Sequence, residues 1–363
     1  MTKKSFILIF VILSLLVFLV PTTVQAGSGL TVTASSAQVD FPASITFNIS
    51  TESDFDITDI RLHYSVERIA FAQVTAEVFV TFTPAKSVNT QWLWDMRRTG
   101  GLPPGADVTY WWTVTDGAGK KIETEPALIS VQDERYDWKT LQQGQVTLNW
   151  YEGDDSFGQE LMAATQEALG RLEANSGAEL ESPVSVYIYA SQSDLLGAMI
   201  YPQEWTGGVA YSQYGTIAIG IGQTESQLNW GKRTISHELT HLVVHQVTSN
   251  PYNSLPTWLD EGLAMTSEGE LELSFVIALS WAEAEDSYIS VRSLCSPFPS
   301  DINQTLLAYA ESHEIVVYLI DEYGSDKMLE LLNAFKQGSG YDEALIKVYG
   351  FDMDELNLLW RPE

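Results

Sequence analysis

Apolar and polar positions change their period along the chain. Phe6 to Val20 is an apolar run of 15 residues, interrupted only by Ser14. From about Leu30 to Gln132, apolar and polar residues alternate in short stretches, the period of a strand with one face buried. Ile45–Ser50, Ile60–Tyr64, Val78–Phe82 and Val108–Val114 are such stretches. Pro42, Pro84, Pro103-Pro104-Gly105 and Asp116–Gly119 separate them, residues that preset turn geometry. The pattern predicts an all-β sandwich of about 100 residues.

Beyond Tyr136 the periods mix. Val146–Trp150 and Val184–Tyr189 read as strands, and Gly207–Tyr211 with Thr216–Gly220 as a hairpin or strand pair. Ser156, with Gln159 at the capping-box position, predicts a helix whose inner face carries Leu161, Met162, Thr165, Leu169 and Leu172 and which Gly177 ends. A short helix is expected over Asp194–Ile200, and a longer one from about Leu228 to Val247. After Glu261 the chain reads helical to its end. Leu306–Tyr323 stops at Gly324, another helix carries Met328–Phe335, and Asp352 with Glu355 opens the last. A strand-and-helix half followed by a helical half predicts an α+β domain of two lobes. No internal repeat or low-complexity run stands out.

The 363 residues suffice for two domains with sizeable cores. A formal charge of −29 argues against nucleic-acid binding, which needs basic patches. Lys3 and Lys4 before the apolar run, and Val24-Gln25-Ala26 after it, are the marks of a secretory leader cleaved after Ala26. The expected division is a leader over 1–26, a β-sandwich over 28–133 and the α+β domain over 136–363. The expected location is extracellular; an uncleaved leader serving as a membrane anchor is the alternative. Cys295 is the only cysteine, so no intrachain disulfide forms and a large core must replace such staples. An inert thiol is its expected state.

Two of the five histidines stand in His237-Glu238-Leu239-Thr240-His241. Residues four apart share one helix face, about 6 Å apart along the axis, so both imidazoles reach one ion. Glu238 is rotated about 100° from His237, beside the ion, where it can take a proton from an attacking water. Two imidazoles under-ligate a zinc ion; a third ligand must come from another element. His245 extends the same face but lies about 12 Å from His237 along a continuous helix. Glu261, in Trp258-Leu259-Asp260-Glu261-Gly262, is the better candidate, on a helix that starts after Pro256 and packs back antiparallel. Asp260 and Glu268 are candidates to orient the histidines.

His237-Glu238-x-x-His241 with Glu261 resembles the gluzincin metallopeptidases, of which thermolysin is the familiar member. The Trp258-Leu259-x-Glu261-Gly262-x-Ala264 context resembles the bacterial peptidase MA-like branch. The resemblance covers roughly Tyr136 to Trp360. It implies a zincin-like fold, one zinc ion held by His237, His241 and Glu261, and Glu238 as general base. It also implies an oxyanion donor from the C-terminal lobe, with Tyr309 and His313 as candidates and Tyr309 ranked first. Peptides would lie along an edge strand within Gly208–Ile219. The Gly-Ala-Met-Glu-Asn segment with which the aminopeptidase branch binds the substrate amine is not found, which argues against N-terminal exopeptidase action. Separately, Pro104-Gly105-Ala106-Asp107 before an aromatic strand resembles immunoglobulin and fibronectin type III modules, without the antibody cysteine pair.

These readings converge on a secreted zinc endopeptidase acting on peptide or protein substrates. The alternative is a non-catalytic, zinc-containing surface protein. Its sandwich would contact a cell surface or polymer, with Trp92, Trp94, Trp111 and Trp112 as a stacking face.

Overall fold

The structure is a computed structural model and describes residues 29–69, 72–204 and 206–361. The leader expected over 1–26 lies outside the described residues. No helix among those described is long and apolar enough to cross a membrane.

The N-terminal region is β-rich. Its strands are β1 (Thr31–Asp40), β2 (Ser44–Glu52), β3 (Ile57–Val66), β4 (Thr75–Phe79), β5 (Ser87–Asp95), β6 (Ala106–Asp116), β7 (Lys121–Glu123) and β8 (Ala127–Val131). One antiparallel sheet has the order β1-β2-β5; the other runs β4-β3-β6-β7, with β8 also paired to β6. Alternation decides which side chains face inward. Ile45, Phe47 and Ile49 from β2 meet Ile60 and Leu62 from β3 and Val108, Trp112 and Val114 from β6 in one core. The buried Trp112 indole donates to Ser35 Oγ at 3.1 Å, so its polar edge is not stranded.

The second region contains β9 (Lys139–Gln143), β10 (Val146–Trp150), α1 (Asp155–Ser176), β11 (Val184–Tyr189), α2 (Gln192–Leu196), β12 (Gly208–Tyr211), β13 (Thr216–Gly220), α3 (Glu225–Thr248) and α4 (Thr257–Glu268). It continues with α5 (Leu273–Glu285), α6 (Ile302–Tyr323), α7 (Ser325–Lys336), α8 (Tyr341–Tyr349) and α9 (Met353–Leu359). A five-stranded sheet has the order β12-β13-β11-β10-β9. Its inner strands pair in parallel and both edges are antiparallel. Val146, Leu148, Val186, Ile217 and Ile219 share one core with apolar residues of α1, α3 and the later helices. Tyr187 and Tyr189 cluster instead with Tyr136, Trp138, Tyr151 and, from the first region, Phe41. At this junction buried Asp133 accepts from Arg135 Nε at 2.7 Å and from the Tyr189 hydroxyl at 2.9 Å, so its charge is paired.

Two helix starts differ from expectation. Asp154, not Ser156, caps α1 by accepting from Phe157 N–H, while Ser156 donates to the Asp154 carboxylate. A carboxylate carries more charge to the helix end than a hydroxyl. The motif helix α3 begins three residues before Leu228, with Thr224 and Gln227 forming a reciprocal capping box. Cys295 is half-buried, and burial pushes its thiol up to about 11, an unreactive state.

Glu311 on α6 is fully buried, and its carboxylate accepts from Ile289 N–H at 3.0 Å. Burial raises its pKa to about 7, only partly opposed by that hydrogen bond. A carboxyl raised on folding favours the fold below its unfolded pKa. That contribution is lost as pH rises from about 4.5 through about 7. Glu311→Gln should therefore gain stability relative to the parent, by about 3 kcal/mol at pH 8 and by almost nothing at pH 4. Urea unfolding of both proteins at the two pH values checks this; equal differences at both would refute it.

Candidate metal centre

Helices α3 and α4 build the site. The seven residues Ser249–Leu255, followed by Pro256 at the N-cap of α4, reverse the chain between them. The pairings then run in opposite directions: His237 meets Glu261 and Glu268, and His241 meets Asp260 and Glu261. One donor atom each from His237, His241 and Glu261 lies within 4.8 Å of the others. Glu261 Oε2 is 3.3 Å from His237 Nε2 and 3.6 Å from His241 Nε2. It is buried, yet aligned with neither ring well enough to hydrogen-bond. A buried carboxylate oxygen without a hydrogen bond, facing two imidazole nitrogens, suits a cation between them. Two nitrogens and one carboxylate oxygen are the donor set of a catalytic zinc site with an open position.

Each distal ring nitrogen has a carboxylate behind it, hydrogen-bonded for His237 and in ion-pair contact alone for His241. His237 Nδ1 is 2.8 Å from Glu268 Oε1, and Glu268 also accepts from Arg233 Nη2 at 3.0 Å. His241 Nδ1 is 3.1 Å from Asp260 Oδ2. Both candidates for orienting the imidazoles are thus in contact with them, and each leaves Nε2 free to face Glu261. Burial by itself would lower the His237 pKa, but Glu261 and Glu268 outweigh it and push it up to about 10. For His241, burial is outweighed chiefly by Asp260, to about 9. The carboxylates make this a place that attracts positive charge, for which protons and a metal compete. Glu268→Gln is expected to weaken zinc binding by about 10–100-fold, measured by competition with a chromophoric chelator. An unchanged affinity would reduce Glu268 to a packing residue.

Glu238 lies outside the donor trio, on the side of the edge strand. A Cβ built on Gly208 of β12 would come within 3.3 Å of Glu238 Oε1, so the strand backbone passes against this carboxylate. Tyr309 on α6 has its ring centroid 6.3 Å from that of His237 and packs edge-on against Phe298. Burial first, then the carboxylates of Glu261, Glu238 and Glu268, hold its hydroxyl well above the usual tyrosine range. It is therefore a neutral donor. His313, one turn further along α6, has Nδ1 3.0 Å from the adjacent Glu314 and is not part of the donor trio. His245 also lies outside the trio, half-buried on α3, with Nε2 unpartnered among the described residues.

Gly262 is a site residue whose role the sequence did not disclose. A Cβ there would fall 2.5 Å from Val316 Cγ2 and against the Ser312 carbonyl of α6. The missing side chain lets α4 and α6 touch, and so brings Tyr309 up to the face that carries Glu261. A glycine within a helix was the available signal.

No curated protein matches the sequence. Among solved structures, an M1 zinc metallopeptidase from Deinococcus radiodurans is 12% identical, covering 92% of this chain and 94% of that one, with a TM-score of 0.38. The carbohydrate-binding module BhCBM56 is 14% identical over 26% of this chain and 88% of that one, with a TM-score of 0.19. OgpA from Akkermansia muciniphila is 10% identical over 29% of this chain and 28% of that one, with a TM-score of 0.22. At such scores these likenesses carry no functional argument. The family model of the peptidase MA superfamily matches residues 164–363, a span that contains all three members of the donor trio. The chain belongs to the peptidase MA superfamily.

Proposed function

We propose that the chain is an exported, zinc-dependent endopeptidase of gluzincin type, with His237, His241 and Glu261 as metal ligands. The observation that carries this reading is the convergence of these three side chains on a common point, with Glu261 Oε2 buried and unbonded between two imidazoles. A bound zinc ion supplies a Lewis acid that polarises the scissile carbonyl and acidifies water. Glu238, beside the donors, takes the proton from the attacking water and passes it to the leaving amine. Tyr309 donates to the developing oxyanion; its raised hydroxyl pKa keeps that proton in place. His313 is the second candidate for this role. β12 is an edge strand of the sheet and lies against Glu238. An extended peptide added to it would present a carbonyl beside the general base.

The remaining readings rest on less. The pairing order β1-β2-β5 opposite β4-β3-β6-β7 supports a fibronectin-type reading of residues 28–133. That region would hold the enzyme against a cell surface or polymer, and 136–363 would be the zincin-like catalytic domain. Export through a leader ending at Ala26 completes the proposal.

The test is metal content joined to turnover. Purified protein should hold one zinc per chain and cleave members of a blocked peptide library. Cleavage should vanish on chelation and return with zinc. Full cleavage in a verified zinc-free sample would end this reading.

A further inference from the structure

A cavity of about 460 Å³ opens on the N-terminal sandwich, lined by Tyr64, Trp92, Trp94, Asp95, Arg98 and Thr99. Trp92 and Trp94 stand two apart on β5, an edge strand, and so share one face of it. The four tryptophans of the sandwich do not make one stacking face. Trp112 is fully buried in the core, and Trp111 turns to the other side of β6, where it stacks on His63 with centroids 5.3 Å apart. Only Trp92 and Trp94 meet at the cavity.

An aromatic run leads from the core to this cavity. Phe47 is fully buried and stacks with Tyr64 at 6.2 Å and with Trp92 at 6.1 Å. Tyr64 in turn lies 5.7 Å from Trp92 and 4.7 Å from Trp94. Trp94 is buried, and its indole donates to Thr99 Oγ1 at 3.2 Å. Tyr64 and Trp92 are half-buried. The Tyr64 hydroxyl and the Trp92 indole N–H have no hydrogen-bond partner among the described residues, yet neither atom is sealed from solvent. At the rim, Asp95 Oδ1 accepts twice from Arg97, while Oδ2 accepts once, at 3.2 Å, and keeps a lone pair. Arg98 lies 3.9 Å from that oxygen with its side chain 86% exposed, so its guanidinium can donate elsewhere.

This set of groups selects among ligands. Partly open aromatic rings favour a flat patch of C–H bonds. The carboxylate needs a donor, whereas the tyrosine, indole and guanidinium can donate to acceptors. A hydroxyl group is both. A polyproline segment would supply carbonyl acceptors but no N–H for Asp95. One carboxylate and one guanidinium line the cavity, on a chain of formal charge −29, which disfavours a polyanion. A glucopyranose-type ring meets each requirement, since its equatorial hydroxyls leave C–H bonds on both ring faces. The volume is within the range of small-molecule sites, about 300–1,000 Å³.

We propose that this cavity binds a short stretch of a neutral polysaccharide built of glucopyranose-type sugars. The proposal rests on the reading of the sandwich as the part that contacts a polymer, and it does not depend on the metal centre.

Titration calorimetry on the full chain tests it, with cellohexaose, chitohexaose and maltohexaose as ligands and polygalacturonate and decaproline as contrasts. At least one neutral hexasaccharide should bind, and which one binds names the sugar and its linkage. Trp92→Leu should weaken that binding at least about tenfold, and Arg98→Gln severalfold. Arg98 is exposed, so its variant should unfold at the parent temperature and keeps the test open if Trp92→Leu fails to fold. Binding of none of the three sugars overturns the proposal, as does binding that neither substitution weakens. Binding of polygalacturonate alone or of decaproline alone overturns it too. Peptide cleavage is measured on the same preparations. Cleavage without sugar binding sinks this proposal and leaves the peptidase reading intact. Sugar binding that depends on Trp92, without any cleavage, upholds the cavity and sinks the peptidase reading alone.

Discussion

Glu238→Gln is expected to lower peptide turnover by about 10²–10⁴-fold while leaving zinc content and thermal unfolding close to the parent values. The amide keeps the size of the carboxylate but cannot take the proton. It sits outside the trio of His237, His241 and Glu261, so the metal is not lost with it. The effect should appear in kcat more than in KM, because the proton moves in the chemical step and not on binding. Metal analysis and kinetics on one preparation separate the outcomes. Loss of zinc would make Glu238 a structural residue, and unchanged kcat would leave the site without its base.

The second large effect is expected at a residue without a side chain. Alanine normally improves a helix over glycine by about 1 kcal/mol. Gly170 on α1, where an added Cβ meets nothing within 4 Å, should follow that rule and gain stability as Gly170→Ala. Gly262→Ala should reverse it. Its Cβ would lie 2.5 Å from Val316 Cγ2 and press on the Ser312 carbonyl, which belongs to the hydrogen-bonded backbone of α6. Overpacking of this kind costs about 1–3 kcal/mol or more. With no soft neighbour at the carbonyl, the upper part of that range applies, for a net loss of about 2 kcal/mol after the helix gain. Glu261 is the preceding residue, so zinc affinity should fall as well. Denaturant unfolding of both variants, with chelator competition, reads the result. A Gly262→Ala protein as stable as the parent would mean that α4 and α6 do not depend on this contact.

The elements with a strong period were legible. The strands over Ile45–Ser50, Ile60–Tyr64, Val108–Val114 and Val184–Tyr189 appear within β2, β3, β6 and β11. The helical character after Glu261 appears as α4 to α9. Helix starts were less legible, since Asp154 and Ser156 are both good caps and only the local geometry chose the carboxylate. The expected strand Val78–Phe82 is β4, shifted to Thr75–Phe79 by its pairing with β3. α5 carries apolar residues on all sides, with Leu273 and Trp281 72% and 65% exposed, so its period could not tell which face turns inward.

The sequence by itself determined the chemistry available at the centre. Two imidazoles four apart with a carboxylate between them are a local pattern, and α-helical geometry puts both rings on one side. Asp260, Glu261 and Glu268 were likewise within reach as soon as their helix folded back. The tertiary structure decided what depends on how helices are rotated against one another. Tyr309 and His313 are one turn apart on α6, and no periodicity distinguishes them. The close seat of Gly262 on Ser312 fixes the rotation that brings Tyr309 to His237 and leaves His313 beside Glu314.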